Sequence, residues 1–488
     1  MAPKDLRDWL KKVDEIGELK RVNGAHWDLE VGTIASMTDD AVLIDNVVGY
    51  PAGYRILLNL TMSVRRWMLG MSFSSDKRGN DLCREYKEFL HRFRPVPPQW
   101  VDSGPILENV QEGDDVNILR FPVPKIHPED GGRYIGTTDA IVVRDPDTGQ
   151  VNLGTYRIQA HDEKSLGLYA SGGKDGQLIV KKYHDRGLPC PIVVLVGIEP
   201  AIFEVAVVHM EHTDGGEYEL AGYFKGEPIE VIKGELTGLP IPAHTEIAIE
   251  GEVLPGDVRM EGPFGEWTGY SELRSAPVIR VKRVLHRDNP ILTVQSPSPP
   301  SRLPKRGGLT GNMRYAAVIW DQMERAGVRG IKGVALYNAR SWLVVSIKNM
   351  HAGQSRQAAY IATFCHSGAY MGKYTIVVDD DIDPYNLDQV IWAVARRADP
   401  QRSIEIAKSC WSDAMDMALP LEERTSDKPA PFVYNSRCII DACRPAHWDP
   451  NIKKSITYSP ELQAQIREKF GDVLFPKDKP STAEELAY

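Results

Sequence analysis

The spacing of apolar residues changes along the chain, and those changes divide it. Leu6, Trp9, Leu10, Val13 and Ile16 recur at helical spacing and Gly17 follows, which predicts an opening amphipathic helix that stops at a glycine. A strand-like run at 55–60 comes next. Residues 1–115 therefore read as a small mixed α/β portion in which Pro95, Pro97 and Pro98 mark an irregular connection. From 116 to 305, β-branched runs bounded by turn residues dominate, at 140–143, 177–181, 192–196, 245–250 and 278–284. Asp145-Pro146-Asp147-Thr148-Gly149 reads as a hairpin connection between two strands, and closure of such a domain into a barrel would remove its open edges. Pro297, Pro299 and Pro300 break the β pattern before a linker helix, expected at 313–325 within a 306–330 linker. Beyond it, strand candidates at 331–336, 342–347 and 375–378 alternate with helices at 355–365 and 387–396, so 331–488 reads as a separate α/β layer. Its tail holds one more helix, with Ser459 as cap, Pro460 in the first turn and Gly471 at the end, of a kind that docks on a neighbouring subunit.

Composition narrows the class of partner. A chain of 488 residues with 42% hydrophobic content buries two or three cores. The formal net charge of −9 leaves no basic excess to neutralise phosphates, which argues against nucleic acid and anionic membranes and for small-molecule partners. The densest apolar stretch, 192–208, is interrupted by Glu199, Pro200 and Glu204, so no membrane span is expected. The N-terminal residues alternate in charge, unlike a secretory signal, which makes a cytoplasmic address the default expectation. Six scattered cysteines without a CxxC pair suit a reducing compartment and read as small buried hydrophobes.

Candidate chemistry concentrates in Glu261-Gly262-Pro263-Phe264-Gly265-Glu266. Two carboxylates stand five residues apart on a segment too rich in Gly and Pro for helix or regular strand. Either both are solvated loop residues, or they converge and share a proton, the requirement for a general acid near neutral pH. Arg157 lies on a β segment that puts it on one face with Gln159 and His161, where a guanidinium binds a carboxylate through two parallel hydrogen bonds or is simply exposed. Asn152 would point to the other face of a regular strand, so a shared site requires a bend, with Gly154 as candidate. Asn152, Asp175 and Glu217 carry oxygen ligands suited to a divalent ion that holds a phosphate, although nothing in their spacing demands it. Asp379-Asp380-Asp381-Ile382-Asp383 reads as a solvated strand end leading into a helix cap rather than a metal site. Arg302, Lys305 and Arg306 either meet an anionic group or solubilise the linker. Gly172-Gly173-Lys174-Asp175-Gly176 matches no nucleotide-binding fingerprint, and His209, His212 and His351 lack ligand spacing.

Taken together, Asn152-Leu-Gly-Thr-Tyr-Arg157, the Glu217 segment, Glu261-Gly-Pro-Phe-Gly-Glu266 with Thr268-Gly269-Tyr270, and Asp379-Asp-Asp-Ile-Asp ahead of Val390-Ile-Trp-Ala393 resemble the UbiD family of decarboxylases dependent on prenylated FMN. The resemblance covers most of the chain in order. It implies an α/β multidomain fold with a split β-barrel flavin-binding domain (116–305), a linker helix and a C-terminal α/β oligomerisation domain, assembled as homodimers or homohexamers. By the same resemblance Arg157, Glu261 and Glu266 form the catalytic network, with Glu266 as proton donor. Asn152, Leu153, Gly154, Thr155, Tyr156, Arg157, Lys174, Asp175 and Glu217 would line the cofactor. Asn152 and Glu217 match the ligands of a divalent ion, usually Mn2+, often with K+ nearby. Asp175 stands where several members have histidine, which leaves its ligation open. A flavin prenyltransferase would supply the cofactor.

The reaction implied is reversible, non-oxidative decarboxylation of an aromatic, heteroaromatic or α,β-unsaturated carboxylic acid. Two other readings compete with it, a catalytically silent scaffold subunit of a carboxylase assembly and an oxidoreductase using ordinary FMN.

Overall fold

The computed structural model describes residues 2–207, 215–296, 306–338, 340–424, 433–445, 448 and 458–474, with backbone alone for 306–311 and 472. The opening helix, Leu6–Glu15, buries Leu6, Trp9, Leu10 and Val13 on one face and is capped by Asp5, whose side chain accepts from the Asp8 amide. It covers a four-stranded sheet ordered Leu19–Asn23, Ala41–Asp45, Arg55–Leu58, Ile291–Val294. The fourth strand comes from far along the chain. Asn109–Glu112 likewise pairs with the central strand Arg274–His286, so the first portion and the β-rich portion share strands.

The central element is a nine-stranded sheet. Its order is Arg133–Gly136, Arg157–Asp162, Ser165–Tyr169, Arg274–His286, Ile247–Glu261, Cys190–Val196, Asp139–Arg144, Val151–Gly154, with Asn109–Glu112 on the side. That order is an open path rather than a closed ring. The 145–149 connection is the expected hairpin turn, in which Gly149 takes φ +75° and the Asp147 amide donates to Asp145 Oδ1 at 2.8 Å. Register shifts after Glu250 and Val253 bend the long Ile247–Glu261 strand, carrying its last residue beyond the regular ladder.

One expected strand is a helix. Residues 177–181 lie within Asp175–His184, where Ile179 and Val180 are buried while Leu178 is exposed. Their β-branched character suits a strand, but packing beneath the central sheet decides the outcome.

The helix Arg306–Arg325 begins earlier than its apolar pattern suggested and bridges to the C-terminal layer. Arg302 and Lys305 lie outside the described residues, as does the Arg306 side chain, and so do His209 and His212. The C-terminal sheet is ordered Ile331–Tyr337, Trp342–Ile347, Tyr374–Asp379, Tyr434–Ala442, Ile404–Trp411. The last two strands of that list were not legible in the sequence. The acidic run is not the solvated cap expected: Asp379 and Asp381 both bind the buried Arg397, at 3.1 Å and 2.8 Å, and the cap of the Leu387–Arg397 helix is Asn386. The late helix, Pro460–Leu474, continues past Gly471, and Ser459 Oγ accepts from the Leu462 amide at 3.1 Å. All six cysteines are free.

Candidate active site

Glu261 is the last residue of its long strand and Glu266 lies in the short strand Gly265–Glu266, which pairs with Gly269–Tyr270. The loop between them is held by its own amides. Gly262 N donates to Gln159 Oε1 at 3.0 Å, Phe264 N to Ser271 Oγ at 3.0 Å, and Gly265 N to the buried Asp130 at 2.9 Å. Gly131 and Gly265 sit where a side chain would strike the Gly262 carbonyl and the His127 ring respectively. The loop is therefore pinned from several directions, and both carboxylates point at Arg157.

Arg157 Nε and Nη2 donate to the two oxygens of Glu261 at 2.8 and 2.6 Å, and Nη1 donates to Glu266 Oε1 at 2.6 Å. The Glu261 side chain is fully buried, Arg157 is 5% exposed and Glu266 is 15% exposed, so Glu266 is the most accessible member of the triad. The Tyr134 hydroxyl adds a fourth contact, donating to Glu261 Oε1 at 3.2 Å. The guanidinium lies 4.5 Å from the Tyr169 ring centre and 5.0 Å from that of Phe264, so apolar faces enclose the charge. Burial pushes the Glu266 carboxyl above the ordinary glutamate range. Arg157 opposes that rise, while Asp413 and Glu261 reinforce it. Of the five N–H donors of a guanidinium, three serve the glutamates and two remain for a ligand.

Asn152 and Arg157 share a region without sharing a strand. The strand Val151–Gly154 ends at Gly154, and Arg157–Asp162 starts a new one, next to the opposite edge in the sheet order, so a break between strands replaces the expected bulge or bend within one. Asn152 Nδ2 donates to Glu217 Oε1 at 2.9 Å, while Asn152 Oδ1 is buried without a hydrogen-bond partner. Glu217 opens the helix Glu217–Lys225 and Asp175 opens Asp175–His184. Both charges bear on the Tyr156 hydroxyl, which accepts from Gly176 N at 2.9 Å. Asp175 is exposed, and among the described residues no hydrogen bond joins it to Asn152 or Glu217. No group of three His, Cys, Asp or Glu gathers as a metal site among the described residues.

The donor set nevertheless fits a hard divalent ion. An orphaned buried amide oxygen stands beside a carboxylate, and hard ions take such oxygen ligands. Two helix N-termini beside them suit a phosphate, which the carboxylates would otherwise repel without an intervening cation. Thr155 donates to Asp139, a fully buried acid that burial pushes up to about 8. The Leu153 side chain is core, 3% exposed, so its side chain belongs to the packing rather than to the cleft.

The C-terminal layer latches onto this region through residues that carried no local motif. Tyr370 donates to Ser171 Oγ at 2.8 Å, Trp411 Nε1 to the Gly172 carbonyl at 3.0 Å, and Tyr169 to Asp413 Oδ1 at 2.9 Å. Arg424 reaches Glu272 at 2.8 Å. The Lys174 ammonium lies 4.2 Å from the Tyr370 ring centre, and burial lowers its pKa well below the ordinary lysine value, with Arg340 adding to the effect.

Comparison with known proteins follows this architecture. Residues 10–86, 99–300 and 309–442 match the N-terminal, Rift-related and C-terminal domains of 3-octaprenyl-4-hydroxybenzoate carboxy-lyase. A phenolic acid decarboxylase of Bacillus subtilis (strain 168) is 30% identical over 463 residues, 91% of this chain and 93% of that protein. The closed form of vanillic acid decarboxylase from Sedimentibacter hydroxybenzoicus superposes with a TM-score of 0.84 at 26% identity, covering 97% of this chain and 100% of that one. HmfF of Pelotomaculum thermopropionicum, a UbiD-class enzyme solved in complex with FMN, gives 0.78 at 26% identity, covering 94% and 98%. Fold and site thus define a carboxy-lyase built of three successive domain types. The chain belongs to the UbiD family.

Proposed function

We propose that the protein performs reversible, non-oxidative decarboxylation of an aromatic, heteroaromatic or α,β-unsaturated carboxylic acid with prenylated FMN. The supporting observation is the enclosed Arg157 clamped between Glu261 and Glu266, because an acid whose pKa is raised by burial, beside a guanidinium with two further N–H groups, suits a carboxylate substrate that must later gain a proton. When bound, prenylated FMN supplies the electron sink that the cleavage of a carbon–carboxylate bond requires. Arg157 orients the substrate carboxylate with its two remaining N–H groups. Glu261, fully buried and doubly bonded, fixes the guanidinium plane. Glu266 delivers its proton to the carbon that loses carbon dioxide, and runs the reverse transfer in carboxylation.

Asn152 and Glu217 would hold a divalent ion, Mn2+ in this reading, whose charge would neutralise the cofactor phosphate, and K+ would be the second cation. Asp175 joins directly through oxygen, through water, or not at all. Thr155, Tyr156 and Lys174 line the cofactor, with backbone contributed at Leu153 and Gly154. A flavin prenyltransferase supplies that cofactor, and the chain works in the cytoplasm as a homodimer or homohexamer. No helix among the described residues is long and apolar enough to cross a membrane. An evolved dimeric form of HmfF has been solved in complex with prFMN, which supports the cofactor part of this reading.

The test is co-expression with a flavin prenyltransferase followed by a screen of aryl and acrylic acids for carbon dioxide release. Release from at least one aromatic or unsaturated acid is expected. A chain that holds the modified flavin but releases nothing across the panel favours the silent-subunit reading, and one that carries only ordinary FMN favours the oxidoreductase.

A further inference from the structure

We propose that Asp413, delivered from the C-terminal layer, is a positioning residue for the active-site acid: it fixes Tyr169 against the Arg157 guanidinium and sets the electrostatic surroundings in which Glu266 holds its proton. The proposal rests on the reading of Glu266 as proton donor. Asp413 is 4% exposed. Its Oδ1 accepts from the Tyr169 hydroxyl and from the Met415 amide, each at 2.9 Å, and no cation forms an ion pair with it among the described residues. A buried carboxylate satisfied only by neutral donors is costly.

Tyr169 accepts from Arg274 Nη1 at 2.8 Å while donating to Asp413, so one hydroxyl joins a cation to an anion. Its ring lies 4.5 Å from the Arg157 guanidinium and 4.6 Å from that of Arg274. Asp413 is thus one of two partners that hold the Tyr169 hydroxyl, and the ring backs the guanidinium that holds Glu266. The groups bearing on Glu266 are Arg157 and Glu261 from the central sheet and Asp413 and the Tyr370 phenol from the C-terminal layer. Lys174 and Arg274 stand around Asp413 and Tyr169 from two further elements. Burial raises the Glu266 pKa and Arg157 opposes the rise, while the negative charges of Asp413 and Glu261 add to it. The C-terminal layer completes the acid as well as covering it.

Asp413→Asn keeps an oxygen to accept from Tyr169 and removes the charge. The titration of the Glu266 carboxyl is followed in the cofactor-free full chain by the infrared C=O band that disappears in Glu266→Gln, and the pH profile of kcat/KM is followed in the holoenzyme. Both midpoints are expected to move to lower pH, with KM unchanged within about twofold, and Asp413→Glu is expected to restore them. Tyr169→Phe keeps the charge and cuts the hydrogen bond, so it should lower kcat without moving the Glu266 band. Asp413→Ser gives the same reading if the Asn variant does not fold. An unmoved Glu266 band in the neutral variants overturns the proposal, whatever turnover does. Wild-type turnover in Glu266→Gln would instead defeat the proton-donor reading, and the infrared titration separates the two failures.

Discussion

Replacing Arg157 with methionine, similar in length but uncharged, strips three hydrogen bonds from two carboxylates. Glu261, fully buried, keeps only the Tyr134 hydroxyl at 3.2 Å. Three charge-assisted bonds at about 1.5–3 kcal/mol each suggest a gross loss of about 5–9 kcal/mol. The carboxylates escape part of it by taking up protons, and removal of one partner from a buried pair typically costs about 3–5 kcal/mol. That escape fixes the sign of the pH dependence. In the variant, burial without a counter-charge raises both folded-state carboxyl pKa values above their unfolded values, so stability falls as pH rises through them. Near pH 4 and below, the carboxyls are protonated in both states and the variant lies closest to wild type. Thermal unfolding of the cofactor-free chain at pH 5 and pH 8 measures the difference, and hydrogen exchange in the Ile247–Glu261 strand identifies the transition that reports on the central sheet. At about 2–4 °C per kcal/mol, the midpoint should fall by about 6–20 °C at pH 8 and by clearly less at pH 5. An equal shift at both pH values would refute the reasoning, because it would mean that no buried carboxylate had been left without its counter-charge.

Other consequences are open to direct measurement. Glu266→Gln, which can still accept from Arg157, should lower kcat by about 10²- to 10⁴-fold while the flavin absorbance of the purified protein persists. In the wild type, activity should fall as pH rises through the elevated Glu266 pKa, because the donor must be protonated, and the stability that this group contributes is lost over the same interval. Asn152→Ala and Glu217→Ala should strip the divalent ion as measured by elemental analysis, whereas Asp175→Ala should retain most of it, since Asp175 is exposed and is not bonded to the other two. Arg397→Met should destabilise the C-terminal layer by about 3–5 kcal/mol, read by its proteolysis rate, because Asp379 and Asp381 lose their shared buried partner.

Much of this site was legible because its chemistry is local. Glu261 and Glu266 flank a segment that neither helix nor regular strand accommodates, and the structure makes it a pinned turn. The alternation that put Gln159 on the face of Arg157 also holds, since Gln159 anchors the Gly262 amide next to the Arg157–Glu261 pair. The acidic run after Tyr374–Asp379 misled, because a string of aspartates looks solvated until the distant Arg397 folds back onto it. Residues 177–181 misled for a related reason, their strand-like side chains being overruled by packing. Asp413, Tyr370 and Trp411 left no local trace at all, because each matters only through a residue some two hundred positions away.

By itself the sequence determined which groups are available, a guanidinium, two glutamates and a set of oxygen ligands, and the local conformations that turn residues and periodic apolar faces enforce. Those are short-range effects, written in neighbouring residues. Only the tertiary structure decided that Glu261 is sealed while Glu266 is partly exposed, that Asn152 and Arg157 lie on different strands, and that a carboxylate of the C-terminal layer holds the tyrosine whose ring backs Arg157. Burial and charge proximity are properties of space rather than of chain position, and they, more than residue identity, set how tightly an acid holds its proton.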